Sequence, residues 1–194
     1  RPDNRYGPAE RWPGVLRAIL GAGWLVIEEG LGGRTTVSDD PVELDADKNG
    51  ARFLPVALHS HKPLDVVVIM LGTNDLKARF GKSAWEIGQG IGVLVELVKR
   101  AGVGPGGATP EILVVCPPVM RDRLPLHADM FVDAPAKSRD LAKHYRAIAA
   151  ERGVRFFDAG SVATSSTVDG FHLDPDAHEK IGKAIAAEIA GIFK

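Results

Sequence analysis

Apolar and polar positions along the chain follow two periods. Short β-branched or aromatic runs at 24–28 (Trp-Leu-Val-Ile-Glu), 65–71, 112–116 and 154–158 predict four strands. The second and third runs are apolar throughout, as in a parallel sheet covered on both faces. Between the runs the period becomes helical. Trp12, Val15, Leu16, Ile19 and Leu20 form one stripe, with Pro13 suited to its first turn. Ile87, Ile91, Leu94, Val95 and Val98 form a second, and Leu141, Tyr145, Ile148 and Ala149 a third. Ile181, Ala184, Ile185, Glu188 and Ile189 make a last amphipathic helix, and 50–61 reads as helical although it carries Pro55. Strands separated by helices predict a three-layer α/β/α sandwich around a parallel sheet. Ligands of such sheets bind at the carboxyl ends of the strands, which directs attention to 29–36, 72–75, 117–123 and 159–172.

Composition narrows the class. A length of 194 residues fits a single domain, 1–194, and 45% hydrophobic with 25% charged residues is a globular balance. With 24 basic against 25 acidic residues, no overall field draws the chain to nucleic acid or to an anionic membrane. The lone Cys116 cannot form an internal disulfide, and no apolar run reaches the roughly 18 residues of a membrane span. No basic stretch followed by an apolar one resembles a signal peptide, so a cytoplasmic location is expected. Since residue 1 is Arg rather than Met, the expectation is a start after processing or inside a longer gene product.

The candidate chemistry lies on the predicted rim. Asp169-Gly170-Phe171-His172 places a carboxylate and an imidazole three apart. A turn at Gly170 would let the carboxylate accept from one ring nitrogen and leave the other free as a general base, although a helix-capping turn has the same spacing. Gly72-Thr73-Asn74-Asp75 follows the most apolar run. There Asn74 can present an amide donor to an oxyanion, or Asn74 and Asp75 can simply bond their own backbone. Gly30-Leu31-Gly32-Gly33-Arg34 can converge backbone N–H groups on an anion, or form a plain flexible loop.

Other motifs resolve into simpler roles. Gly81-Lys82-Ser83 would need a glycine at position 76 to be a phosphate loop, and that residue is Leu76. Gly102-Val103-Gly104 precedes a strand, where a dinucleotide fingerprint must follow one. His59 and His61, or His172, Asp174, Asp176 and His178, have ligand-like spacings, yet His178 falls inside the last helix and Asp174 and Asp176 suit its amino end.

Taken together and in this order, the three blocks resemble the SGNH (GDSL-type) hydrolases. The similarity extends to Glu28–Thr36, to Pro63-Leu64-Asp65 ahead of Met70–Asp75, and to Phe157-Asp158-Ala159-Gly160-Ser161, which look like the small bacterial arylesterase and acyltransferase branch. The resemblance implies a flavodoxin-like sheet of order 2-1-3-4-5. It also implies His172 as general base and acid, Asp169 as its orienting carboxylate, Asn74 as a side-chain oxyanion donor and Gly33 as a backbone donor. The family's Gly-Asp-Ser nucleophile block has no match here. None of the seven serines, at 38, 60, 83, 138, 161, 165 and 166, occupies a strand-to-helix turn of that kind. The first strand and its serine are therefore expected to lie outside these residues, on an N-terminal peptide of the same gene product.

The expected activity is that of a carboxylic-ester hydrolase working through a serine acyl-enzyme, with a small-molecule ester as substrate and water or an alcohol as acceptor. It needs no metal or organic cofactor. A carbohydrate O-acetylesterase and a non-catalytic binding descendant are the alternatives. A homo-oligomer is expected, because Val119, Met120, Leu124, Leu126, Met130 and Phe131 crowd one irregular segment.

Overall fold

A computed structural model describes residues 5–193. In it α1 (Trp12–Leu20) and α2 (Gly50–His61) precede β1 (Val66–Ile69), then α3 (Ala84–Ala101), β2 (Glu111–Cys116), α4 (Ala134–Arg152), β3 (Arg155–Asp158) and α5 (Pro175–Ile192). The three strands form a parallel sheet of order β1-β2-β3, with Val66 level with Glu111 and Leu113 level with Arg155. Helix α3 begins where Ser83 and Glu86 exchange side-chain and backbone hydrogen bonds in a capping box, and it ends at Gly102 in the left-handed region. Asn49 caps α2 through the Ala51 N–H, and the helix continues through Pro55.

Residues alternate across β2 as a doubly covered strand requires. Ile112, Val114 and Cys116 pack with Ile87, Ile91, Leu94 and Val95 of α3 and Leu141, Tyr145 and Ile148 of α4. Leu113 and Val115 face the other way, onto Leu16 of α1 and Ile181, Ile185 and Ile189 of α5. The expected sandwich is present: α2, α3 and α4 lie on one side and α1 and α5 on the other.

One predicted strand differs. Residues 24–28 keep a period-two burial, with Trp24, Val26 and Glu28 half-buried and Leu25 and Ile27 exposed, but join no ladder. A parallel strand is defined by its neighbour, and among the described residues β1 pairs only with β2, leaving its other edge unpaired. The inward side chains of 24–28 are held from beneath instead: Arg17 donates to the Val26 carbonyl at 2.9 Å and pairs with Glu28, as does Arg11.

The apolar segment at 117–133 also has an intramolecular explanation. Met120, Leu124 and Phe131 are buried in the chain's own core, while Val119 and Leu126 remain exposed. No helix among the described residues is long and apolar enough to cross a membrane.

Candidate active site

Asp169 and His172 come together in a loop after β3. Gly170 takes φ +92°, and an added Cβ there would press into Leu124 and the Arg123 carbonyl, so the turn requires glycine. Asp169 Oδ1 accepts the backbone N–H groups of Phe171 and His172 at 3.1 and 3.0 Å, which leaves Oδ2 for His172 Nδ1 at 2.8 Å. Burial works against the Asp169 carboxylate, but those two N–H donors and the imidazole outweigh it and hold its pKa below the ordinary value. An ionised carboxylate can only accept, so Nδ1 carries the proton and Nε2 of the neutral ring keeps its lone pair. The imidazole is open while the carboxylate is largely covered, with 69% of the His172 and 16% of the Asp169 side chain exposed.

The loop is fixed to the carboxyl end of β2. The Arg121 N–H donates to the Gly170 carbonyl at 2.9 Å, and its Nε donates to the Ser165 and Ser166 carbonyls at 2.7 and 3.1 Å. Ser165 Oγ donates to the Val119 carbonyl, and Ser166 Oγ accepts the Val168 N–H. Both serines are buried and occupied as struts. The Phe171 ring lies 4.2 Å from the imidazole, centroid to centroid, and is backed by the buried Phe131 at 4.8 Å.

The candidate donors Asn74 and Gly33 lie on neighbouring segments, Asn74 in the turn that follows β1. Gly72 has φ +121°, and a Cβ there would collide with the buried Tyr145 hydroxyl, which donates to the Leu71 carbonyl at 2.8 Å. That close approach turns the chain sharply enough for Asn74 to reach the glycine-rich loop, where its Nδ2 donates to the Arg34 carbonyl at 3.2 Å. Gly33, at φ +81°, precedes Arg34, and among the described residues no hydrogen bond takes up its N–H. The turn after Asn74 and the Asp169–His172 loop are linked through the 130–131 segment. The Ala78 N–H donates to the Met130 carbonyl at 2.8 Å, and Phe131 carries the contact on to Phe171 and His172.

The Asp75 side chain does not bond its own turn. It is fully buried and accepts the Thr36 N–H at 2.8 Å and the Thr36 hydroxyl at 2.5 Å, which fastens the glycine-rich loop to the Asn74 turn. Burial raises its pKa above the ordinary carboxyl value, against the pull of Thr36 and Lys82. This role is illegible in a single sequence, because the partner lies 39 positions away. Arg121 was hidden for the same reason; the only signal was its place directly after a strand end.

His178 and His61, two of the histidines with ligand-like spacing, are otherwise engaged. His178 Nδ1 accepts the Trp12 N–H at 3.3 Å and joins α1 to α5. Burial, and then the charge of Arg11, push its pKa down and keep it a neutral acceptor. His61 Nε2 lies 2.6 Å from Glu29. Asp174 occupies the N-cap position of α5 without a side-chain capping bond, and Asp176 stands in the first turn. Ser83 of the phosphate-loop lookalike serves as the α3 cap.

Comparisons with known proteins identify the family. Residues 2–180 match the model of the GDSL-like Lipase/Acylhydrolase family. Est24, a carbohydrate acetylesterase from Sinorhizobium meliloti, is similar in structure, with a TM-score of 0.92 and 41% identity over 99% of this chain and 90% of its own. The native M. smegmatis aryl esterase has a TM-score of 0.91 and 42% identity, over 97% of this chain and 88% of its own. Among curated proteins no match is found. With a family match across nearly its whole length, and solved structures of the same fold at 41% and 42% identity, the chain belongs to the GDSL-like lipase/acylhydrolase family.

Proposed function

We propose that this chain supplies the base and the oxyanion donors of a carboxylic-ester hydrolase of the arylesterase/acyltransferase type. The hydrogen bond between Asp169 and His172, with the carboxylate anchored by two backbone N–H groups, is the observation that carries the reading. The nucleophile is a serine outside these residues, on a strand that pairs with the free edge of β1. Support comes from that unpaired edge beside Val66–Ile69 and from the strand-like but unladdered 24–28.

In the reaction, the serine oxygen attacks the ester carbonyl carbon while its proton passes to His172 Nε2. The carbonyl oxygen becomes an oxyanion that accepts from Asn74 Nδ2 and the Gly33 N–H. His172 then protonates the departing alcohol, and water or a second alcohol, deprotonated by the same ring, takes the acyl group. Asp169 fixes the tautomer and stabilises the imidazolium. The similarity to Est24 favours a second reading, a carbohydrate O-acetylesterase, which differs only in the leaving group.

Turnover of phenyl acetate and of an acetylated sugar by the intact protein tests both. The proposal expects His172→Ala to lower kcat by at least about 1,000-fold. Equal turnover in wild type and His172→Ala would refute the assignment, and the ratio of the two kcat/KM values separates aryl from sugar esters.

A further inference from the structure

Behind Gly33 lies an ion cluster that the catalytic sequence above does not use. Asp40 and Lys77 are buried, with 0% and 3% of their side chains exposed, while Arg79 and Glu43 are partly covered. Arg79 bridges the two acids, at 2.6 Å to Asp40 and 2.8 Å to Glu43; Lys77 pairs with Glu43 and lies 3.6 Å from Asp40. The acids belong to the loop that continues from the glycine-rich block, and the bases to the turn that continues from Asn74.

The cluster touches both oxyanion donors. An added Cβ on Gly33 would run into the Glu43 carboxylate and the Lys48 stem, so these side chains pack directly on the Gly33 backbone. Lys48, itself buried, donates to the Gly32 carbonyl at 3.1 Å. On the other side, the Lys77 N–H donates to the Asn74 carbonyl at 3.2 Å. One contiguous set of charges thus runs from the backbone of one donor to the backbone of the other. Burial opposes ionisation of Glu43, yet Lys77 and Arg79 hold its pKa below the ordinary value, so Glu43 is a carboxylate at neutral pH.

From these contacts we infer that Glu43 and Lys77, with Asp40 and Arg79, are positioning residues that set the separation between the Gly33 N–H and the Asn74 amide. The inference rests on the oxyanion reading of those two donors. The cluster balances two cations against two anions, so it contributes geometry rather than a net field. Its effect falls on the oxyanion state, which demands donors at about 2.7–3.1 Å, more than on the bound ester.

The test uses Glu43→Gln, which keeps shape and loses charge, with Lys77→Met as the harsher variant. Backbone order parameters are measured by NMR, and kcat and KM for phenyl acetate on the intact protein. In Glu43→Gln the Gly33 order parameter is expected to fall from about 0.85 to below about 0.6 while β2 stays rigid. At the same time kcat drops about 10-fold with KM within about twofold. An unchanged Gly33 with unchanged kcat in folded Glu43→Gln overturns the inference, as does uniform loosening of the whole domain. Should the wild type hydrolyse no ester, the esterase reading fails, and the order parameters alone still decide whether the cluster positions the loop. Should Lys77→Met not fold, Glu43→Gln decides.

Discussion

Replacing Gly72 by alanine puts two separate strains on one residue. The backbone holds φ +121°, a region that costs an L-residue about 1–3 kcal/mol. The new methyl also collides with the Tyr145 hydroxyl and ring carbon, an overpacking cost of about 1–3 kcal/mol in a core this tight. Displacing that hydroxyl breaks its bond to the Leu71 carbonyl, worth about 1 kcal/mol. Gly72→Ala should therefore lose about 3–7 kcal/mol, a large part of the usual 5–15 kcal/mol of a domain. Tyr145→Phe alone forfeits only the hydrogen bond, about 1 kcal/mol, and opens the space the methyl needs. The double variant should be more stable than additivity predicts by about 2–4 kcal/mol, because the collision disappears and the lost bond is counted once. Urea denaturation followed by circular dichroism gives all four corners of the cycle. An additive cycle would refute the reasoning and assign the whole cost of Gly72→Ala to the backbone.

Three further outcomes are expected. Asn74→Ala should lower kcat for an activated ester by about 100-fold or more with the fold intact, as steady-state kinetics beside a thermal melt will show; full turnover removes Asn74 from the oxyanion site. Asp40 is pulled down to about 2, since its bonds from Arg79 and from the Val42 and Glu43 N–H groups outweigh burial. The stabilisation it gives is complete above the unfolded value near 4 and is lost as pH falls toward 2. Asp40→Asn should then flatten the acid limb of stability by about 2 kcal/mol, read from urea midpoints between pH 5 and 2.5; a parallel limb contradicts the assignment. Cys116 is buried and its thiol pKa is pushed up by burial and by Asp158, so a thiol reagent should label it only as fast as the domain unfolds. Rapid labelling of native protein counts against that burial.

Period and turn chemistry made most of the fold legible. The doubly covered β2 appeared as an unbroken apolar run, and the α3 and α5 stripes as residues three and four apart. The 24–28 run has a strand's alternation, but a ladder needs a neighbour that these residues do not contain. At the site, local contacts were readable and distant ones were not. Asp169 and His172 are three apart and share one turn, so their spacing alone suggested the bond. The fastening of Thr36 by Asp75, the struts of Arg121 and the cluster behind Gly33 all join segments tens of residues apart, and no periodicity encodes such pairs.

The seam between α1 and α5 has a consequence for the order in which the protein folds. An α5 Cβ at position 182 would press on Val15 and the Trp12 carbonyl, so the two helices approach as closely as a bare glycine permits. The Trp12–His178 bond within that seam spans 166 positions. Closing so long a segment costs entropy before any contact repays it, whereas the β1–α3–β2 and β2–α4–β3 units need only short closures. The upper layer can therefore condense first, leaving Leu113 and Val115 bare on the underside of the sheet until α5 and α1 arrive. That intermediate displays a sticky apolar floor. Conditions that slow docking of the last helix, or a bulkier residue at Gly182, should divert refolding molecules into aggregates before they weaken the finished fold.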